Sequence, residues 1–466
     1  MKNSASLSLS AVALAVLCLS LNAGAESMGF PQIALGYYPS AKTVTEWGPD
    51  KNVIWKTPLA KESFASPCVI GERIFITAEP GTLICVGKAG GKILWEKSHT
   101  IEEALSPEQA AQAREDAPKV AQIKAELEPL EREWQQVRDA QTRNPRDPEL
   151  KKKGEALNQK VTALKKEFDK QYRFGPPMLT SDNGYASATP FSDGQRVWMV
   201  YGDGVVECCD VSGARQWIRY IEKPGNTKGW GHSASPVVSD GLLLVHLTDL
   251  VALDAATGAE RWRAPIECSW GTPLIEKIGG VSVVITPRGD FLRLSDGQIL
   301  ARKIFMMPWG MPFVQDGVLY AIDEPGGKAV RLPAKAAEGM KPEILWKSVP
   351  YYDRFYGTGV IHDGALYAAT GNGTSTLDAF DAVTGKLLFE KRFHVKGARV
   401  FASIVLSGNH LFVTGEGGET IVLEAGREYK EMRRNLLEPY RTTPVIDDGR
   451  IYIRGSKNLY CIGKRL

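Results

Sequence analysis

Short runs of β-branched and aromatic residues, separated by polar turns, recur along the chain from about residue 50 to its end. Residues 241–246 form one such run. It is followed by a second run, a polar turn at residues 254–258, and Trp262 four residues after the turn glycine. The same spacing returns at Gly385 and Phe389. Each unit therefore predicts four short strands in about 40 residues, which is the period of a propeller blade.

The number of units follows from the signal that opens each first strand, usually Ser or Thr followed by Pro. Eight such starts occur, near Ser66, Thr189, Ser235, Thr272, Met311, Thr358, Ser403 and Thr443. The last unit ends after its third strand, whereas a lone strand signal at residues 52–56 precedes the first unit. We therefore predict an all-β fold, an eight-bladed β-propeller closed by the N-terminal strand. Closure would remove exposed sheet edges.

Residues 101–172 break this pattern, because they are rich in Ala, Gln, Glu, Lys and Arg. Capped helix starts occur at residues 106–109 and 147–149. Apolar residues step by three and four at Val120, Ile123, Leu127, Leu130, Trp134 and Val137, and again at Leu157, Val161, Leu164 and Phe168. The pattern predicts an antiparallel α-helical hairpin inserted between the first two blades. The hairpin is either a solvent-exposed decoration without a binding role or a docking arm that binds a protein partner. Its place on a connection between blades favours the docking arm.

The N-terminus indicates export. Residues 1–25 have the form of a secretory signal peptide, with an apolar run too short to span a membrane. Residues 26–50 are then an N-terminal extension, and residues 51–100 and 173–466 form the propeller. Without Lys2, 56 basic and 54 acidic residues leave a net charge of about +2, which gives no reason to expect nucleic acid. We predict a periplasmic or secreted protein with no transmembrane segment.

The segment from Ala252 to Trp262 resembles the tryptophan-docking repeat of pyrroloquinoline-quinone (PQQ) propellers, and the resemblance covers all but the leader, the extension and the insert. In that family the tryptophan packs between neighbouring blades. Ala301 and Lys430 stand at this position in units four and seven, so we expect these blades to be the loosest. The family includes PQQ-dependent alcohol and glucose dehydrogenases and also non-enzymes, such as the propeller subunit of the outer-membrane protein assembly machinery. The fold alone does not choose between them.

The adjacent pair Cys208-Cys209 bears on this choice, because quinoprotein alcohol dehydrogenases carry a vicinal disulfide beside their cofactor. Alignment of the units places Cys208 in the small-residue slot occupied by Cys85 and Cys461 in other units. We therefore expect buried, unpaired thiols; a vicinal disulfide and a cofactor role are the alternatives. No metal and no cofactor are predicted. PQQ with calcium belongs to the alternative function, which would need side-chain oxygens and a carboxylate base.

One set of positions would ring the mouth of the channel, three residues before each first-strand proline or its equivalent. These are Phe64, Ser187, Ser233, Trp270, Trp309, Tyr356, Phe401 and Arg441, beside turn acids at Glu79, Asp203, Asp249, Asp290, Glu324 and Glu416. They either pack blade on blade or line a site for a peptide, glycan or planar ligand. We predict ligand binding by Phe64, Trp270, Trp309, Tyr356, Phe401 and Arg441. The predicted function is an exported scaffold that binds an envelope protein through the hairpin and this face; the alternative is a PQQ-dependent oxidoreductase.

Overall fold

Strands of two to six residues make up most of the regular secondary structure. The structure is a computed structural model that describes residues 36–177, 179, 183–225, 229–323, 326–348, 354–371 and 375–464. The predicted signal peptide and the first part of the extension lie outside these residues. Within them the fold is mostly β, with eight sheets of propeller-like blades and three helices.

The first four sheets each contain four consecutive strands. They are β3 (Cys68–Ile70), β4 (Arg73–Ala78), β5 (Thr82–Gly87) and β6 (Ile93–Ser98); β7 (Phe191–Ser192), β8 (Arg196–Val200), β9 (Val205–Asp210) and β10 (Arg215–Tyr220); β11 (Val237–Ser239), β12 (Leu242–His246), β13 (Leu250–Asp254) and β14 (Glu260–Ala264); β15 (Leu274–Ile278), β16 (Val281–Ile285), β17 (Phe291–Arg293) and β18 (Ile299–Ala301).

Sheets five to seven repeat this order, and sheet eight combines the two ends of the chain. They are β19 (Phe313–Gln315), β20 (Val318–Ala321), β21 (Lys328–Arg331) and β22 (Glu343–Lys347); β23 (Val360–His362), β24 (Ala365–Ala369), β25 (Thr376–Asp381) and β26 (Leu387–Arg392); β27 (Val405–Ser407), β28 (His410–Thr414), β29 (Glu419–Glu424) and β30 (Glu431–Leu436), with β1 (Tyr37–Tyr38) added; β31 (Val445–Asp447), β32 (Arg450–Arg454) and β33 (Asn458–Ile462), with β2 (Val53–Pro58) added.

The repeat tryptophans join neighbouring sheets. Each donates its indole N–H to a carbonyl in the turn between the third and fourth strands of the next sheet: Trp55 to Lys88, Trp95 to Val211, Trp217 to Ala255, Trp262 to Leu294 and Trp346 to Ala382, at 2.7–3.2 Å. The turn glycine leaves room for the ring, since a Cβ on Gly258 would lie 2.6 Å from the Trp217 ring. Packing between blades, as the resemblance implies, is therefore the role of these side chains.

Sheets four, six and seven lack this tryptophan, and in sheet six Phe389 stands in its place. Ala301 lies opposite Phe291 in sheet four, as predicted. In sheet seven the assignment of Lys430 was wrong, because Arg433 lies opposite Val422 beside the β-bulge. The turn before β30 is one residue longer than its counterparts, since the Glu424 N–H donates to the carbonyl of Lys430.

The helices lie within the predicted insert. They are α1 (Ile101–Ala104), α2 (Pro107–Arg143) and α3 (Pro148–Gln171), and a capping box at Ser106 starts α2. The seam between α2 and α3 buries Ile123, Leu127, Val137, Leu157, Val161 and Phe168. At the base, Asp116 pairs with Arg173 at 2.8 Å and Asp169 with Lys223 at 2.8 Å. The long helices therefore satisfy their apolar faces on each other, and ion pairs tie the hairpin base to the chain after it.

Part of the predicted extension is packed into the body of the fold. β1 pairs in parallel with β27, with Tyr37 opposite Leu406. Farther along, Trp47 is buried in edge contact with Phe412, 5.4 Å between ring centroids. Its backbone N–H donates to the side chain of Asn435. This segment therefore contributes Tyr38 and Trp47 to the core, which the sequence did not predict.

Candidate functional site

The connections that lead from the fourth strand of one sheet to the first strand of the next surround a cavity of about 320 Å³. All six predicted ligand-binding residues line it: Phe64, Trp270, Trp309, Tyr356, Phe401 and Arg441. Ser187 and Ser233, from the same set of positions, line it as well. The repeat geometry explains this convergence, because equivalent positions of successive units lie at the same end of their sheets.

The aromatic side chains of the cavity contact one another in a continuous series of stacked and edge-on pairs. Trp270 and Trp309 stack with ring centroids 4.4 Å apart and planes 16° apart. Tyr356 and Phe401 stack at 4.7 Å and 14°, and Trp309 meets Tyr356 edge-on at 5.9 Å. Trp230, which the sequence did not single out, lies 5.4 Å from Trp270. Because the rings hold one another, the wall of the cavity is ordered before any ligand binds.

Three arginines lie against these rings. The Arg441 guanidinium lies 4.7 Å from the ring centroid of Phe64 and 4.3 Å from that of Phe401. Arg399 lies 5.4 Å from the Phe401 centroid, and Arg354 lies over Trp230 and Trp309. The sequence identified only Arg441 of the three. Such cation–π contacts position a guanidinium while leaving it charged.

The turn acids hold the connections in place rather than line the cavity. Glu79 accepts the backbone N–H groups of Tyr185 and Ala186, and burial raises the pKa of Glu79. Glu416 accepts from Arg399 at 2.8 Å and from Arg441 at 2.9 Å. Glu324 lies outside the described residues. These acids therefore fix the backbone and the arginines around the site.

A series of hydroxyl groups forms the inner boundary of the cavity, two residues after the aromatic positions. Backbone N–H groups donate across sheets to these hydroxyls, from Ser66 to Thr189, Thr189 to Ser235, Ser235 to Thr272, Thr358 to Ser403, Ser403 to Thr443 and Thr443 to Ser66, at 2.9–3.1 Å. We call these six hydroxyls the hydroxyl ring; all six residues line the cavity. In the sequence they served only to mark the start of each unit.

The cysteine pair lies away from this cavity. Cys208 is opposite Trp217 and Cys209 is opposite Arg215 in the pairing of β9 with β10. Both are buried thiols, and burial raises the pKa of each to about 12. Among the described residues that line the cavity, the charged side chains are three arginines, without Asp or Glu. Calcium takes carboxylate and other oxygen ligands, and of these the described lining offers hydroxyl and amide oxygens.

The eight sheets, the interlocking tryptophans and the cavity where the connections meet are features of PQQ-repeat β-propellers. Comparison with known proteins agrees: residues 177–303 match a family model described as "Outer membrane protein assembly factor BamB". This match covers one stretch of the chain. A search of curated proteins gave no match.

Solved structures extend the likeness over most of the chain. BamB from Moraxella catarrhalis is 12% identical, with a TM-score of 0.57, over 88% of this chain and 99% of that one. Quinohemoprotein alcohol dehydrogenase from Comamonas testosteroni is 12% identical, with a TM-score of 0.54, over 90% and 79%. A europium-containing methanol dehydrogenase is 11% identical, with a TM-score of 0.54, over 91% and 88%. At these identities the likeness establishes the fold, which dehydrogenases and an outer-membrane protein assembly factor share. No helix among the described residues is long and apolar enough to cross a membrane.

Proposed function

We propose that this chain is a closed eight-bladed propeller of the cell envelope, periplasmic or secreted, that acts as a binding scaffold without catalysis of its own. One protein partner would contact both the helical hairpin and the face that carries the cavity. BamB, an outer-membrane protein assembly factor, has the same general fold and supports a role in assembly.

The observation that carries this proposal is that the hairpin and the cavity share one kind of connection. The hairpin interrupts the link between β6 and β7, and the equivalent links between later sheets supply the aromatic and arginine side chains of the cavity. At 1.5 Å per residue, α2 is about 55 Å long, so the hairpin can extend well beyond the sheets. A partner seated on this face would meet both surfaces.

Contacts between the last sheet and the first support closure. β2 pairs with β33 and completes the eighth sheet from the N-terminal side. The Trp55 indole of this sheet donates to the Lys88 carbonyl of the first, and the Thr443 N–H donates to Ser66. Closure would remove exposed sheet edges.

The scaffold role predicts a specific pattern of partner capture. Full-length protein should be crosslinked in its native envelope and compared with a version in which a Gly/Ser bridge replaces residues 106–171. We expect the deletion to abolish co-purification of the partner. Val383→Ala, an exposed residue in the turn before β26, should capture it normally. Undiminished capture by the deletion would reduce the hairpin to decoration.

The alternative is a PQQ-dependent oxidoreductase, and the low identity to dehydrogenases leaves it to a direct test. Three arginines at the cavity and a cysteine pair buried elsewhere weigh against it. Purified protein mixed with PQQ and calcium should show neither stoichiometric binding nor alcohol- or glucose-dependent dye reduction. Sustained turnover would refute the scaffold proposal.

A further inference from the structure

We infer that the cavity binds a carboxylate-bearing peptide segment of the partner protein, with its acidic groups at the hydroxyl ring and the arginines and its apolar side chains against the tryptophans. This inference rests on the proposed scaffold function and names the chemistry of the segment that the cavity would take.

The hydroxyl ring carries the first step. Each of its six oxygens accepts a backbone N–H from the neighbouring sheet. A hydroxyl has one proton to donate as well, and for these six no acceptor occurs within the part of the chain that the structure describes. Five of the six residues are at most 8% exposed, yet all line the cavity. The ring therefore offers donors that a carboxylate oxygen would satisfy.

The arginines carry the second step. Arg354, Arg399 and Arg441 line the cavity, and Glu416 is shared between the last two. Counted over these four side chains alone, the formal charge is +2, from three arginines and one glutamate. Guanidinium groups bind carboxylates through paired hydrogen bonds, which are stronger than those between neutral groups. The cavity thus favours an anion over a neutral or cationic segment.

The distribution of these groups gives the third step, because the cavity has two unlike sides. One side contains three consecutive members of the hydroxyl ring, Ser403, Thr443 and Ser66. In the sequence, Arg399 precedes Ser403 and Arg441 precedes Thr443. On the other side the ring is interrupted at Met311, where Trp230, Trp270 and Trp309 cluster and where Arg354 lies over two of the three indole rings. A segment that carries both acidic and aromatic side chains would match the two sides, whereas a purely polar anion would leave the tryptophans uncovered.

Calorimetry with short peptides tests this inference on the full mature chain. The probes are acetyl-Phe-Glu-Phe-Glu-amide, its Gln counterpart as an amide, and the Gln peptide with a free C-terminal carboxylate. We expect the Glu peptide to bind at least about tenfold more tightly than the Gln amide, with affinity falling as salt rises. Recovery of affinity by the free carboxylate would assign the site to a chain end, and its failure would assign it to acidic side chains; both support carboxylate binding. Equal affinity for the Glu peptide and the Gln amide would overturn it.

Two adjacent threonines provide a matched pair of variants. Thr443 belongs to the hydroxyl ring, whereas Thr442 is buried beside it and donates to the Arg454 carbonyl at 2.9 Å. Thr443→Val should weaken the Glu peptide at least about threefold and the Gln amide by less, because a hydrogen bond to a carboxylate is stronger than one to an amide oxygen. Thr442→Val should preserve binding of both. Arg399→Gln should weaken the Glu peptide further, while the exposed Arg261→Gln should not. Equal effects of both threonine variants on both peptides would contradict the inference.

The outcome is separable from that of the scaffold proposal. If the partner is captured through the hairpin but the Glu peptide binds no better than the Gln amide, the peptide inference is wrong and the scaffold stands. If the Glu peptide binds but hairpin deletion leaves capture unchanged, the hairpin part of the scaffold proposal is wrong and the cavity assignment stands.

Discussion

Removal of the helical hairpin tests whether the insert and the sheets fold as independent units. The variant replaces residues 106–171 with Gly/Ser and keeps α1 and Leu105, which pack on the second sheet. Arg173, just after the deleted segment, pairs with Asp116, which is the tenth residue of α2. The two ends to be joined are therefore separated by the part of α2 that precedes Asp116. At 1.5 Å per helical residue the gap is about 15 Å, so a bridge of about six residues spans it without strain.

The interactions that tie the hairpin to the rest of the chain are weak. This deletion removes the pairs of Arg173 with Asp116 and of Lys223 with Asp169, and each pair includes a half-exposed side chain. Partly exposed ion pairs contribute up to about 1 kcal/mol each, so we expect the free energy of unfolding to drop by less than about 2 kcal/mol and Tm to fall by no more than about 4 °C. The seam contributes nothing to this difference, because its residues pack on one another.

A longer deletion of residues 102–171 is the matched comparison. It also removes Glu103, which pairs with Arg215, and Ala104, which is 4% exposed in the core. The longer deletion should therefore cost about 1–3 kcal/mol more than the shorter one. Thermal and urea unfolding, followed by circular dichroism, measure both. Unfolded sheets in the shorter variant, or equal stability of the two deletions, would refute this division of the chain.

Three further outcomes follow from buried groups. Mass spectrometry of unreduced, denatured protein should find Cys208 and Cys209 as thiols, and a linkage between them would favour the quinoprotein alternative. Burial lowers the pKa of His232 and His246 to about 4. Below about pH 6.5 these histidines bind protons in the unfolded chain but not in the folded one. The free energy of unfolding should therefore fall by about 2 kcal/mol per histidine between pH 7 and pH 5. Urea midpoints that do not change with pH would contradict this. Arg215→Met should lower the free energy of unfolding by about 3 kcal/mol, because it leaves the buried carboxylate of Glu207 without its ion-pair partner. Urea unfolding measures this change, and an unchanged free energy would show that the ion pair contributes nothing.

Much of the fold could be predicted because its signals are local and repeated. The strand alternation and the spacing from Gly258 to Trp262 recur in most units, so eight sheets could be counted from the sequence. The error at Lys430 arose where a turn gained one residue and the spacing no longer held. The short strand at Tyr37–Tyr38 gave no signal, because its partner in β27 is far away along the chain.

The candidate site, like the fold, could be predicted from the sequence only in part. Phe64, Trp270 and Tyr356 stand at a fixed distance from the start of a first strand, so their positions at the cavity could be predicted from the sequence. Trp230 stands three residues before Ser233 and Arg354 two residues before Tyr356, so the spacing rule for the aromatic positions does not point to either of them. The hydroxyl ring was visible in the sequence as a repeated Ser or Thr. Its role could not be predicted, because each hydroxyl bonds to a different sheet.

The N-terminal segment joins two neighbouring sheets. β1 covers the inner edge of the seventh sheet, and β2 forms the outer strand of the eighth. Between them, Thr43 lies within hydrogen-bonding distance of the Ser407 hydroxyl, and Trp47 is bonded to Asn435 on the outermost strand of the seventh sheet. The segment therefore crosses from the inner to the outer edge of one sheet before it completes the next. In a ring closed by β2, the eighth sheet would then be joined to the seventh sheet through this segment and to the first sheet through the Trp55 indole.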